Sequence, residues 1–351
     1  MTADQKPQLI YLAFGADTYR TEAVFSIASA LKHSAIAAQD RTFDIQVFTD
    51  NPAPFSRLPV TTRDIDPAWR GPHDYHFRIK PVVLQKVLAE HEKALLIDTD
   101  TFFKASPDAL FERIPANGLL CNAFGLPLQD LGQPELLAEV QAILPVDGYS
   151  PQLNSGVIGL TRANSGVLER SIALMDALHP TFSHIYTLEE LCLALAASQG
   201  MPLAECPDLI HHYWSRKDIF RAKITAWHRK HANAPLSAAA LADIGNINDR
   251  LPRPGQPLRA LQKILTQLIP HEQRQFAREI LYGCGCCNLD NEFDRACASV
   301  WWDKAIEVPE RRHHNRKPEK AEIERWLKHP VLKLLAGRHY PQVVAHLTGR
   351  P

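Results

Sequence analysis

The chain has 351 residues, 45% of them hydrophobic and 22% charged, the composition of a folded, water-soluble protein with one large domain and an appendage, or two domains. Lysine plus arginine equals aspartate plus glutamate at 39 each, so no global field draws the chain to nucleic acid or to an anionic membrane. No run of 18 apolar residues exists, which argues against a membrane-spanning helix, and seven irregularly spaced cysteines argue against a secreted disulfide framework.

Met1 to Gln8 is polar and mixed in charge. The apolar run Leu9–Phe14 behind it is short and lacks a small-residue cleavage pattern, so it reads as a buried strand and not as a signal peptide. The expected compartment is the cytoplasm or the inner face of its membrane.

Residues 8–14 open a series of alternating strand-like and helix-like segments. Thr21 to Lys32 has helical spacing, with Val24, Ile27, Ala28 and Leu31 on one face. Phe43 to Phe48 is a second strand and ends in the turn signals Thr49-Asp50-Asn51-Pro52. Pro81 to Glu90 is a helix with Pro81 in its first turn and Val83, Leu84, Val87 and Leu88 inward. Ala94-Leu95-Leu96-Ile97 is an apolar run of the kind found in strands covered on both faces. Such alternation predicts an α/β domain around a mostly parallel sheet, with ligands beyond the carboxyl ends of the strands.

From about residue 236 the pattern turns to Ala-rich and Leu-rich helices, as in Leu236–Ile244 and Pro257–Leu268. The expected division is a catalytic α/β domain over 1–235 and a helical extension over 236–351. No internal repeat is evident.

Asp98 and Asp100 follow the apolar run two residues apart, so an extended chain sets both side chains on one face. Two converging carboxylates suit a hard divalent cation, Mg²⁺ or Mn²⁺, and such a cation relieves their mutual repulsion. The competing structural reading is a strand end capped by turn-forming aspartates.

Further polar motifs follow in order. Phe77-Arg78-Ile79-Lys80-Pro81 brings two cations about twenty residues before the acidic pair. Asn154-Ser155-Gly156 before an apolar strand offers short hydrogen-bonding groups and close backbone approach, although a hairpin turn needs the same residues. Thr187-Leu188-Glu189-Glu190 opens a helical pattern whose first-turn acids also suit the helix dipole. His211-His212-Tyr213-Trp214-Ser215-Arg216-Lys217 closes the series. If it is extended, its two histidines point to opposite faces and only one can meet the acidic pair.

This ordered series resembles the metal-dependent GT-A glycosyltransferases, above all bacterial relatives of the glycogenin-like and galactosyltransferase-like families, over roughly residues 8–220. The resemblance implies a GT-A, Rossmann-like fold and the transfer of a hexose-type sugar from a nucleoside-diphosphate donor, with UDP the favoured nucleotide and Mn²⁺ or Mg²⁺ the metal. It implies that Ala13, Phe14 and Gly15 cradle the nucleoside and that Tyr19 stacks on the base. Arg78 or Lys80 reaches the donor, Asp100 binds the metal, and Asp98 binds the ribose, the metal or both, with Thr99 between them. Asn154 and Ser155 face the sugar, and Glu189 or Glu190 faces the reaction centre as a base or stabiliser. His212 completes the metal site, since relatives read His-Tyr-Trp with a following lysine. His211 is the alternative, because its six-residue separation from Lys217 matches glycogenin-like spacing. Lys217 adds charge to the diphosphate.

Competing classes are a haloacid-dehalogenase-like phosphatase, a nucleotidyltransferase of similar fold, and a non-catalytic, degenerate nucleotide-sugar-binding protein. The phosphatase motif carries Thr or Val where Phe102 stands and needs a downstream acidic motif, and no Gly-rich phosphate loop supports the nucleotidyltransferase. The intact Asp98, Asp100 and late histidine speak against a degenerate site. Cys284, Cys286, Cys287 and Cys297 match neither a pair of Cys-x-x-Cys motifs nor a ferredoxin run, although Cys284 and Cys287 are three apart as in half of a zinc site, and they read as buried thiols on a helix. The basic stretch Arg311–Lys333, with Trp326, Leu327 and Val331, offers a peripheral membrane contact or a helix packed on the domain. The acceptor, whether saccharide, lipid-linked or protein, is not written in any motif.

Overall fold

A computed structural model describes residues 6–130, 132, 134–143, 151–198, 200–312 and 318–349. The described chain forms two compact units, one holding residues up to Trp214 together with Ala232–Leu241, the other Ser215–His231 and the chain from Ala242 onward.

The strands are β1 (Gln8–Leu12), β2 (Asp44–Phe48), β3 (Thr61–Arg63), β4 (Lys93–Ile97), β5 (Thr101–Phe103), β6 (Leu119–Cys121), β7 (Phe124–Pro127), β8 (Pro151–Leu153), β9 (Val157–Thr161), β10 (Leu203–Glu205) and β11 (Ile210–His212). Seven of them form one sheet in the order β10-β6-β9-β4-β1-β2-β3. β9 runs antiparallel to both neighbours, and the other pairings in that sheet are parallel. This is the mostly parallel α/β sheet expected from the alternating pattern. β5 and β11 make a small antiparallel pair beside it, as do β7 and β8.

Helices α1 (Asp17–Lys32), α2 (Ile79–Glu90), α3 (Pro107–Arg113), α4 (Pro134–Ile143), α5 (Gly166–Phe182) and α6 (Leu188–Ala197) complete this unit. The core joins Ile10, Leu96 and Ile158 of the sheet to Val83, Leu84 and Leu88 of α2 and to Leu168, Leu174 and Leu191 of the last two helices. α1 starts at Asp17, four residues before the sequence pattern places it. Asp17 lies in the first turn, where a carboxylate favours the positive end of the helix, and it ion-pairs with Arg20 at 2.5 Å. α2 likewise starts at Ile79, before Pro81.

The second unit is helical, as expected for the C-terminal part. It begins with α7 (Lys217–His231). Its core gathers Phe276, Ile280, Leu281, Trp301, Trp302, Trp326 and Leu327. Gly283 permits this packing, since a Cβ there would lie 2.3 Å from Trp302 Nε1. Cys284 and Cys286 lie on the helix Arg274–Cys286, Cys287 follows it, and Cys284, Cys286 and Cys297 are buried free thiols. Trp326 and Leu327 of the basic stretch are buried as well, and residues 313–317 of that stretch lie outside the described residues. No described helix is long and apolar enough to cross a membrane.

Candidate active site

The site begins where β4 ends. Asp98, Thr99 and Asp100 bridge β4 and β5 as a bend instead of an extended run. The convergence of ligands therefore comes from this bend and from two neighbouring strands, not from alternation along one strand. Because β9 is antiparallel to β4, its first residue, Val157, pairs with the last residue of β4, Ile97. The Asp98 N–H donates to the Gly156 carbonyl at 3.0 Å. On the other side β11 pairs with β5, His212 opposite Thr101, and the Tyr213 N–H donates to the Asp100 carbonyl at 3.1 Å.

His212 points at the acidic pair, with Nε2 3.3 Å from Asp100 Oδ1. His211 faces away and packs its ring on Phe102, 5.1 Å between centroids. One ligand atom each from Asp98, Asp100 and His212 lies within 4.8 Å of the others, and among the described residues these three are the group of ligand-type side chains close enough to share a metal ion.

The orientation of His212 is fixed by its second nitrogen. His212 Nδ1 lies 2.8 Å from Asn154 Oδ1, and the same oxygen accepts the Gly156 N–H at 3.1 Å. A backbone N–H can only donate, so the amide atom it meets is the oxygen, and Nδ1 must then carry the proton. In the neutral ring Nε2 presents its lone pair toward the carboxylates. Two carboxylates and one such imidazole fit a hard to borderline divalent cation held by oxygen and nitrogen.

A second polar cluster adjoins the first. Lys80 is buried, ion-pairs with Asp98 at 2.9 Å and with Glu189 at 3.8 Å, and donates to Ser155 Oγ at 3.1 Å. Burial disfavours its charge, yet Asp98 and Glu189 overcome this and hold its pKa well above the ordinary lysine value. Ser155 donates its hydroxyl to Glu189 Oε2 at 2.8 Å and its N–H to Glu190 Oε1 at 3.0 Å. Burial lifts the Glu189 carboxyl to about 7, with Glu190 and Asp98 adding to the rise and Lys80 and Ser155 opposing it. Burial raises Glu190 too, against the Ser155 N–H. One ammonium thus faces three carboxylates, and proton retention on a glutamate is the physical response to the excess negative charge.

The remaining sequence-predicted residues divide. Arg78 is tied away from the carboxylates, with Nε and Nη2 donating to Asp176 at 2.7 and 2.9 Å. At the end of β1, the Ala13 N–H donates to the Phe48 carbonyl at 2.9 Å and Phe14 packs on His76, 4.8 Å between ring centroids. The Gly15 N–H donates to Asp50 Oδ2 at 2.8 Å. Tyr19 is 40% exposed in the first turns of α1. Thr99 is buried. Lys217 is the first residue of α7, in the second unit.

Asp50, one of the strand-end residues to which the sheet pattern points, holds both the Gly15 loop and Arg20, the latter at 2.6 Å. Sequence reasoning missed two supporting residues. Tyr75 accepts the Glu189 N–H on its hydroxyl at 3.1 Å, and Asp176 fixes Arg78 from 98 residues away. No sequence pattern marks either.

No protein-family model matches the chain, and no curated protein matches it. Solved structures do. The galactosyltransferase LgtC, in complex with donor and acceptor sugar analogues, is similar at 12% identity and TM-score 0.44 over 72% of this chain and 99% of that one. WbbM, a bifunctional glycosyltransferase, is similar at 16% identity and TM-score 0.40, over 59% of this chain. The match spans 40% of the WbbM chain. Mouse xyloside xylosyltransferase 1 is similar at 13% identity and TM-score 0.39, over 57% of this chain and 85% of that one. All three are glycosyltransferases.

Proposed function

We propose that this chain is a metal-dependent glycosyltransferase that moves a sugar from a nucleoside-diphosphate donor, a UDP-sugar by the motif resemblance, to an acceptor. In this reading residues 1–235 carry catalysis. The observation that carries it is the convergence of Asp98, Asp100 and an oriented His212 at a strand end, beside the Lys80–Ser155–Glu189–Glu190 cluster.

Asp98, Asp100 and His212 would hold Mn²⁺ or Mg²⁺, which supplies Lewis-acid charge for the departing diphosphate. Lys80 holds Asp98 in place and supplies fixed positive charge beside the donor site. Ser155 orients both glutamates. With its carboxyl near 7, Glu189 sits where it exchanges a proton at physiological pH, the property required of an acid or base. The negative surplus of the cluster also suits the positive charge that develops on the sugar as the diphosphate leaves. Against a phosphatase, the third group facing Asp98 and Asp100 is an imidazole and not another carboxylate.

Calorimetric binding of UDP and GDP, with and without Mn²⁺, to the wild type and to Asp100→Asn tests the proposal. Mn²⁺-dependent binding of one nucleotide, lost in Asp100→Asn, is expected. Failure with UDP, GDP, CDP and dTDP alike, in a folded protein, removes the glycosyltransferase reading.

A further inference from the structure

The helix Gln256–Leu265 is built inside out. Its inward residues are polar: Gln262 and, just beyond the helix, Thr266 are buried. Its large apolar residues face outward, with Leu258, Leu261 and Ile264 exposed at 43%, 51% and 62% beside exposed Gln256 and Lys263. At about 100° per residue these three and Leu265 share one face within roughly 120°. The next turn, Thr266–Leu268, extends that surface with Leu268 at 69% exposure and packs against the helix Pro330–Ala336, whose Leu334 is also exposed.

Cations outnumber carboxylates around this surface. Leu251–Pro270 contains Arg253, Arg259 and Lys263 and no carboxylate. Lys328–Arg338 contains Lys328, Lys333 and Arg338 and again no carboxylate. A cavity of about 920 Å³ at the N-terminus of the inverted helix is lined by Arg216, Arg250, Arg253, Arg259 and Lys304 against two carboxylates, Asp218 and Asp249, and Asp249 pairs with Arg216 at 2.9 Å. The chain as a whole is electrically balanced, so this concentration of cations is local.

We infer that the helical unit docks peripherally on an anionic phospholipid bilayer through the Gln256–Leu265 helix. Leu258, Leu261, Ile264 and Leu268 enter the boundary between headgroups and acyl chains, and the flanking cations meet the lipid phosphates. Apolar side chains framed by cations complement an anionic interface, whereas a protein groove would need no such charge excess. This surface lies outside the candidate active site, and the inference holds whatever reaction that site performs.

The test uses the full chain and vesicles of phosphatidylglycerol with phosphatidylcholine, or of phosphatidylcholine alone. Wild type is expected to sediment with the anionic vesicles at low salt and to be released by high salt. The Leu261→Asp/Ile264→Asp variant is expected to partition at least about ten-fold less. Wild type that stays in the supernatant, or a variant that sediments equally, overturns the inference. So does a wild-type dimer that the variant turns into a monomer in light scattering, because the stripe is then an interface between copies. Should the double variant misfold, Leu261→Trp gives a second reading at an exposed position. Quenching of its fluorescence, above the wild-type background, by brominated lipid in anionic vesicles is expected, and no added quenching overturns the docking.

Discussion

Asn154 and His212 are locked together by a single oxygen. Asn154 Oδ1 takes the Gly156 N–H at 3.1 Å and stands 2.8 Å from His212 Nδ1. This leaves Nε2 as the ring atom that faces Asp100. The arrangement is the outer-shell device by which metal-binding histidines are held in one tautomer.

Asn154→Leu removes the acceptor while keeping similar volume. Mn²⁺ affinity is expected to fall about 10-fold to 100-fold, with Asn154→Asp retaining most of it, because a carboxylate still accepts from both donors. Electron paramagnetic titration of Mn²⁺ checks this without any assay of turnover. Equal affinity in Asn154→Leu would show that the bond is incidental.

Gly156 leaves no room for a side chain. A Cβ there would lie 2.3 Å from His212 Nδ1, closer than real contacts allow. Gly156→Ala is expected to push the ring off the carboxylates and weaken Mn²⁺ binding at least about ten-fold. A crystal structure of the variant would show His212 rotated or the Asn154–Gly156 backbone moved.

Glu189 gives a pH dependence with a definite sign. Its carboxyl is raised by burial to about 7, from an ordinary value of 4.5. Between those values the folded protein holds a proton that the unfolded chain has released, so this group's contribution to stability falls as pH rises through the window. Above 7 the cost is complete, on the order of 1–3 kcal/mol after allowance for Lys80 and Ser155. Glu189→Gln is expected to remove this dependence. Denaturant midpoints of wild type and variant between pH 4.5 and 8, in the presence of chelator, check it. Parallel curves would be the adverse result.

The thiols should sort by burial. Cys287 is partly exposed, while Cys284, Cys286 and Cys297 are buried, their thiols pushed up to about 12. A thiol reagent at pH 8 is expected to modify Cys287 quickly and those three only after unfolding. Rapid reaction of Cys286 would contradict the packing.

Alternation of apolar runs and helical spacings made the sheet legible, since strands covered on both faces and their flanking helices carry distinct periods. Asp98, Asp100, Asn154, Ser155 and Glu189 were readable because polar residues directly after or before buried apolar runs stand out. What remained hidden depends on long-range geometry. Nothing near Arg78 in sequence announces Asp176, and nothing in the order Arg78-Ile79-Lys80 tells which cation turns toward Asp98. The bend at Thr99 was read as extended chain, because local sequence does not record that β5 leaves the main sheet to pair with β11. Tyr75 was invisible for the same reason, its partner being the backbone of a helix 114 residues on.

The reversed strand β9 has a consequence for assembly. Since Val157 pairs with Ile97, a slip of two residues between β9 and β4 keeps every side chain on its proper face, although it sets Val157 or Thr161 in the place of Gly159, where a Cβ would lie 2.9 Å from Leu95 and from Ile114. The same slip carries Asn154 about 7 Å from its partner. With the metal site proposed above, divalent-ion uptake during refolding would act as a proofreading signal, marking the moment at which the sheet has found its true alignment and not a neighbouring one.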